Sequence, residues 1–354
     1  VKLFDMETGK IVSYVLAGPV EFELEIYPSI VTFTAPLGKG LIGKKIGEVA
    51  KIELPKHTAE YLVLDIEPAT KSEEEISPNL LILGHIGHDI IHVDDKEEGK
   101  FHGGPAYHTA VAASCFSDRA AIISALGKDD KELHEAAKAL ECFTDGIKLF
   151  DDYKSPEFKL YHPSDPKKKS TDWNKNDEIS LDGDSLPGNI SPDYYKAKYL
   201  HIAAAPPEQQ LKWINDIKAE GKYEGTFSVD VSEKFVGEDN GSLIKVFEQC
   251  EFVFAGENGF KLMDKIDIEE KVIILRKNDG GTELWIDGEL QLDEKAPEKA
   301  SLDTTGYTGV LAGAFLALVS LGVVEEIAFE VASRVAGMSL DDFGVEHLLD
   351  LKAE

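Results

Sequence analysis

The chain has 354 residues, 43% of them hydrophobic, and carries 66 Asp and Glu against 37 Lys and Arg for a formal net charge of −29. Only Arg119, Arg276 and Arg334 are arginine, so the surface repels phosphate backbones; direct nucleic-acid binding is not expected, whereas a basic protein partner suits the acidity. No apolar run is long enough for a membrane span, Cys115, Cys142 and Cys250 lack the close spacing of a disulfide framework or zinc site, and no charged-then-apolar leader opens the sequence, which together predict a cytoplasmic protein.

Residues 1–67 read as a β-rich unit. A short strand at 1–5 meets the turn-like Glu7-Thr8-Gly9-Lys10, residues 11–16 are rich in β-formers, and 22–27 alternate cleanly. Pro36-Leu37-Gly38-Lys39-Gly40-Leu41-Ile42-Gly43 predicts a short helical turn between strands. Residues 49–54 and 61–66 predict a closing pair joined at Pro55-Lys56-His57. The polar stretch 68–78, ending in Pro78, predicts a linker.

The segment Thr34-Ala35-Pro36-Leu37-Gly38-Lys39-Gly40-Leu41-Ile42-Gly43-Lys44, followed by Gly47-Glu48-Val49-Ala50, resembles the C-terminal domain of the bacterial Gre transcript-cleavage factors. There a Ser-Pro-Leu-Ala-Lys/Arg-x-Leu-Ile-Gly-Lys segment precedes the last two strands. The resemblance implies a small FKBP-like α+β domain that docks on a protein, with RNA polymerase the candidate partner. The family's catalysis belongs to a coiled-coil hairpin, and no heptad-bearing hairpin occurs in this sequence, so transcript cleavage is not expected.

Residues 79–354 change to strands alternating with helices, the pattern of a parallel α/β sheet. Buried-strand runs fall at 80–84, 121–126, 199–203, 226–230, 252–254 and 271–275. Helices are predicted at 106–116, opened by Gly103-Gly104-Pro105, then at 130–143, 206–218, 242–249, 310–321 and 325–336. Residues 151–195 are polar and Pro/Gly-punctuated, with Lys167-Lys168-Lys169 at a solvated loop tip, and predict a lid or surface loop. His85, His88, His92, His102 and His108 crowd one region; His88 and His92 have i, i+4 spacing, but this segment leaves a strand, so a metal site is not expected. Trp173, Trp213 and Trp285 are scattered and read as packing residues.

Near the C-terminus, Asp303-Thr304-Thr305-Gly306-Tyr307-Thr308-Gly309 runs straight into an apolar helix. Unpaired N–H groups at such a helix start favour an anion. This stretch resembles the D-T-T-G-A-G-D signature of the PfkB/ribokinase family of small-molecule kinases. The resemblance extends from residue 79 to about 349, through Gly84 to Asp89, Gly103-Gly104 with Ala106 and Ala110, Gly127-Lys128-Asp129-Asp130, Ala205-Pro206-Pro207-Glu208 and Ser228-Val229-Asp230.

It implies a ribokinase-like parallel sheet with covering helices, and ATP- and Mg²⁺-dependent phosphoryl transfer to a hydroxyl of a sugar or nucleoside. It also assigns expected roles: Gly306, Tyr307, Thr308 and Gly309 as the anion hole, Asp89, Gly103, Gly104 and His108 on the substrate side, and Asp303, Thr305, Asn278 and Gly281 on the nucleotide side. Several positions depart from the family. Gly309 stands where the general base should be, and His108 replaces an Asn. Gly256-Glu257-Asn258-Gly259 has glycine at both ends of N-x-x-E, and Arg276-Lys277-Asn278-Asp279-Gly280-Gly281 keeps only the last Gly of T-x-G-x-x-G. Asp230 and Asp303 remain acidic but do not stand at the base position. The expectation is therefore a kinase-like protein with weak or lost transfer, or else a non-catalytic ligand-binding protein with an N-terminal docking domain.

Overall fold

The computed structural model describes residues 1–18, 30–54, 57–67, 77–94, 96–164, 190–237, 240–297 and 303–352. The strand expected at 22–27, the lysine triplet, Trp173 and nearly all of the expected linker lie outside these residues.

The N-terminal unit is a four-stranded antiparallel sheet in the order Ile11–Ser13, Lys2–Asp5, Thr58–Asp65 and Val49–Glu53. The short helix Pro36–Leu41 forms where its glycines predict close packing. A Cβ on Gly38 would sit 2.2 Å from the Thr32 carbonyl oxygen, and one on Gly40 would sit 2.1 Å from Ile52 Cδ1.

The large unit is built on a nine-stranded sheet. In spatial order its strands are Ile147–Phe150, Ala120–Gly127, Leu80–Leu83, Tyr199–Ile202, Thr226–Val231, Phe252–Gly256, Val272–Arg276, Thr282–Ile286 and Glu289–Glu294. All pairs are parallel as far as Val272–Arg276, as the alternating pattern predicts. The last two strands then return antiparallel as a hairpin, which makes the sheet mixed. Helices Pro105–Phe116, Tyr307–Ser320 and Glu325–Met338 cover one face, and Pro207–Glu220 and Gly241–Gln249 cover the other. Lys131–Ala139 is shorter than the helix expected over 130–143; Asp130 caps it by accepting the Leu133 N–H.

A separate three-stranded sheet, Glu157–His162, Gly87–Val93 and Lys96–Gly103, stands over the C-terminal ends of the parallel strands. Within it Asp89 lies on Gly87–Val93, a second strand rather than the first strand of the unit. Among the described residues, no helix is long and apolar enough to cross a membrane.

The two units share one core. Phe4, Ile11, Leu62 and Leu64 of the N-terminal sheet are buried in the same cluster as Phe116, Phe315 and Val335 of the large unit. Arg334 fixes the seam by donating to the Met6 carbonyl at 2.5 Å and to the Glu7 carbonyl.

Candidate functional site

The parallel strands aim their C-terminal ends at one region, the usual place for a ligand in an open α/β sheet. Thr226–Val231 brings Asp230 there, Val272–Arg276 brings Arg276, and the turn before Tyr307–Ser320 brings Gly306. The helix begins at Tyr307, three residues earlier than the apolar run suggests, because Gly306 adopts φ +75° and turns the chain into it. Val310 N–H donates to the Gly306 carbonyl at 2.8 Å, while the Thr308 and Gly309 N–H groups find no acceptor among the described residues. This is the helix-start geometry that the sequence predicted, with two donors left over.

Arg276 lies over the Tyr307 ring, with its Cζ 4.9 Å from the centroid. Tyr307 is buried rather than standing in the way of an approaching anion. Its packing holds a guanidinium beside the helix start, a cation on which the motif analysis did not draw. The only signal was an arginine at a strand end in a chain nearly free of them.

On the opposite side, His108 and Asp89 form a buried pair with Nε2 and Oδ2 2.6 Å apart. Asp89 Oδ1 also accepts the Gly104 N–H at 3.2 Å. Gly103 is glycine because a Cβ there would fall 2.1 Å from the Asp89 carboxyl. Gly104, at φ +88°, turns the chain into the Pro105–Phe116 helix. The expected substrate-side residues are thus brought together, but they satisfy one another.

Asp303 accepts the Thr305 N–H at 2.7 Å and the Gly344 N–H at 3.0 Å, and lies 3.1 Å from His162 Nε2. Burial opposes its ionisation, yet the hydrogen bonds from His162, Thr305 and Gly344 outweigh burial and hold the carboxyl below its usual range. Asp303 and Thr305 therefore organise the turn and tie it to the three-stranded sheet through His162. Asn278 and Gly281 sit apart from them in the turn after Val272–Arg276. Asn278 N–H donates to Glu257 at 2.8 Å, and Lys277 N–H donates to the Gly281 carbonyl at 2.8 Å.

The first glycine of Gly256-Glu257-Asn258-Gly259 has a physical cause. A Cβ on Gly256 would lie 2.5 Å from Glu233 Cγ, so the Glu233 side chain occupies that space. Its carboxylate accepts the N–H groups of Asn258 at 3.1 Å and Gly259 at 3.0 Å. Glu257 accepts the Asn278 N–H, so the Glu233 and Glu257 carboxylates are both engaged with backbone. Among the described residues no group of three or more His, Cys, Asp or Glu side chains is arranged to hold a metal ion, so Mg²⁺ is not assigned a protein-only site.

The histidines that crowd the sequence are dispersed onto different carboxylates. His88 pairs with Asp130 at 2.8 Å, His102 with Glu346 at 2.8 Å and His108 with Asp89. His85 is instead buried against Trp213, and burial pushes it down to about 4. His88 and His92 lie on a strand, so their helical spacing never forms.

Burial pushes the Asp230 carboxyl up to about 7, with Arg276 and His108 pulling the other way. Between its ordinary 3.8 and about 7 the folded chain keeps a proton that the unfolded chain has released, so stability falls as pH rises through that window. Asp230→Asn is expected to flatten this slope and to gain on the parent above neutrality. Urea midpoints collected across the window check it; parallel curves for parent and variant would count against it.

A cavity of about 670 Å³ opens on the far side of Tyr307. Thr282, Glu330 and Arg334 wall it together with Phe4 and Met6 of the N-terminal unit, and it touches the helix-start site only through Tyr307.

The sheet order and the helix start at Gly306 beside the strand ends define a ribokinase-like α/β fold. Residues 1–68 match the family described as transcription elongation factor, GreA/GreB, C-terminal. There the chain is 40% identical over 62 residues to the transcription elongation factor GreA of Syntrophobacter fumaroxidans, covering 18% of this chain and 38% of that protein. The rest is 24% identical over 259 residues to a cytidine kinase of Thermococcus kodakarensis, covering 69% of this chain and 89% of that one. A solved ribokinase of Cryptococcus neoformans in complex with ADP matches with a TM-score of 0.60 at 15% identity, over 78% of this chain and 99% of that chain. The protein thus joins a GreA/GreB C-terminal domain to a domain with the PfkB/ribokinase-family kinase fold.

Proposed function

We propose that the large domain transfers the γ-phosphoryl group of ATP to a hydroxyl of a nucleoside or sugar, slowly because no base stands at Gly309. The observation that carries this reading is the helix start itself. Two unpaired N–H groups and the Arg276 guanidinium converge beside Tyr307, at the ends of strands that also present Asp230. Such a site stabilises charge developing on a transferring phosphoryl group. Mg²⁺, when bound, would neutralise the nucleotide's phosphates, while the nearby carboxylates of Glu233 and Glu257 accept backbone N–H groups.

The test is ADP release by the full chain with ATP and Mg²⁺ over a panel including cytidine, adenosine, inosine and ribose. A phosphorylated product from any member is expected. Saturable ligand binding with no product from the whole panel would instead support a non-catalytic ligand-binding protein. That second reading is favoured by the closure of Asp89 around His108 and Gly104. In either case the N-terminal domain is proposed to dock on RNA polymerase, with Phe33, Ile42 and Ile46 as exposed apolar side chains available for a partner.

A further inference from the structure

We propose that the His108 imidazole, oriented by Asp89, is the general base of this site. The inference rests on the phosphoryl-transfer reading above and names the group that makes it chemically possible.

The pair is fixed at both ends. Asp89 is 1% exposed and the His108 side chain 7% exposed. With Nε2 2.6 Å from Asp89 Oδ2, the ring proton belongs on Nε2 and the lone pair on Nδ1. The hydrogen bond of the ring among the described residues is made through Nε2, and none is found at Nδ1. It faces the turn, because a Cβ on Gly306 would lie 2.8 Å from the ring Cγ and 3.0 Å from Nδ1. Nδ1 and the two unpaired N–H groups at Thr308 and Gly309 thus flank the same Gly306 turn.

The glycine at 309 is the counterpart of this arrangement. A Cβ there would lie 3.0 Å from His108 Cβ, 3.3 Å from the Pro105 carbonyl oxygen and 3.3 Å from Thr109 Oγ1. A side chain at 309 would therefore press on the Cβ of residue 108 and on the first turn of the helix that carries it. The chain carries a proton acceptor on the Pro105–Phe116 helix and none on the Tyr307–Ser320 helix.

In the step, the substrate hydroxyl oxygen bonds to the γ-phosphorus of ATP while the bond from that phosphorus to the β–γ bridging oxygen breaks. ADP leaves with that electron pair, and the hydroxyl proton passes to His108 Nδ1. Asp89 stabilises the resulting imidazolium, which returns the proton to water after product departs. The charged and titratable groups around the ring are Asp89 on Gly87–Val93, Asp230 on Thr226–Val231 and Arg276 on Val272–Arg276. Asp230 is the rival base.

The experiment compares parent, His108→Asn, Asp89→Asn and Asp230→Asn full chains on the panel member that turns over, with melting curves to confirm that each is folded. His108→Asn is expected to lower kcat by about 10²–10⁴-fold with little change in the KM for ATP. Asp89→Asn, which removes the charge beside the ring, should likewise lower kcat while leaving the KM for ATP near the parent's. If His108→Asn fails to fold, the parent and Asp89→Asn kinetics still decide. An Asp89→Asn chain that keeps the parent's kcat overturns the proposal. So does transfer that survives His108→Asn and disappears in Asp230→Asn, although the phosphoryl-transfer reading then stands. No transfer by the parent overturns that reading and takes the base with it.

Discussion

Gly309→Asp is expected to cost stability without raising phosphoryl transfer above the parent's. Aspartate is the residue that the family signature calls for at this position, and near a helix N-terminus its charge is favourable. The surroundings decide against it. The two helices approach so closely that a Cβ on Gly313, one turn further on, would fall 2.1 Å from the Thr109 carbonyl oxygen. At Gly309 the nearest atom is His108 Cβ at 3.0 Å, and the Asp89 carboxylate lies just beyond the ring. Overpacking of this kind costs about 1–3 kcal/mol, and a second buried carboxylate near Asp89 adds repulsion. The double variant His108→Asn/Gly309→Asp keeps the Cβ at 108 but removes the ring beyond it, and is expected to recover part of the stability relative to Gly309→Asp and part of the transfer relative to His108→Asn. A coupling of about 0.5–3 kcal/mol in a double-mutant cycle, measured by denaturant titration, is the expected result. Additive effects, or a Gly309→Asp chain as stable as the parent, would show that the two positions do not press on one another.

That pair also explains what was legible in the sequence and what was not. The turn-then-helix at Gly306, the Gly103-Gly104-Pro105 corner and the parallel run of strands could be read directly, because each depends on local chemistry. The motif positions held by glycine could not. Read one residue at a time, Gly309, Gly256 and Gly259 look like lost side chains. In space, His108 fills the volume beside Gly309, and Glu233 crosses from the neighbouring strand end to cap the N–H groups of Asn258 and Gly259. Those replacements come from positions 201 and 23 residues away. A linear motif cannot report them.

The three-stranded sheet was missed for a different reason. Lys96–Gly103 is charged and buries only Gly103, and its strand character comes from pairing with Gly87–Val93 rather than from its own composition. Glu157–His162 did carry a signal. Phe158, Leu160 and His162 alternate inward there, but the strand adjoins a long polar stretch whose composition masks it.

Phe4→Ala is expected to destabilise the whole protein by about 3–5 kcal/mol, rather than loosening the N-terminal domain alone. Phe4 is fully buried, and its ring centroid lies 5.8 Å from that of Phe116, on the helix that also carries His108. Further contacts cross the same seam. Lys2 Nζ donates to the Cys115 carbonyl at 3.1 Å, and a Cβ on Gly47 would lie 2.8 Å from the Gly322 carbonyl oxygen. A unit tethered only by a linker would melt independently, whereas units that share a core should unfold together. The tryptophans separate the two cases, because Trp173, Trp213 and Trp285 all lie beyond residue 68. If the core is continuous, the tryptophan fluorescence transition in urea moves to lower denaturant in Phe4→Ala and stays coincident with loss of amide protection at Leu3 and Val63. A fluorescence transition that keeps the parent midpoint while those amides exchange early would show two independent domains. In the coupled case, any partner that binds the N-terminal domain and strains this seam also acts on the helix bearing His108, so docking and ligand binding would be linked through Phe4 and Phe116.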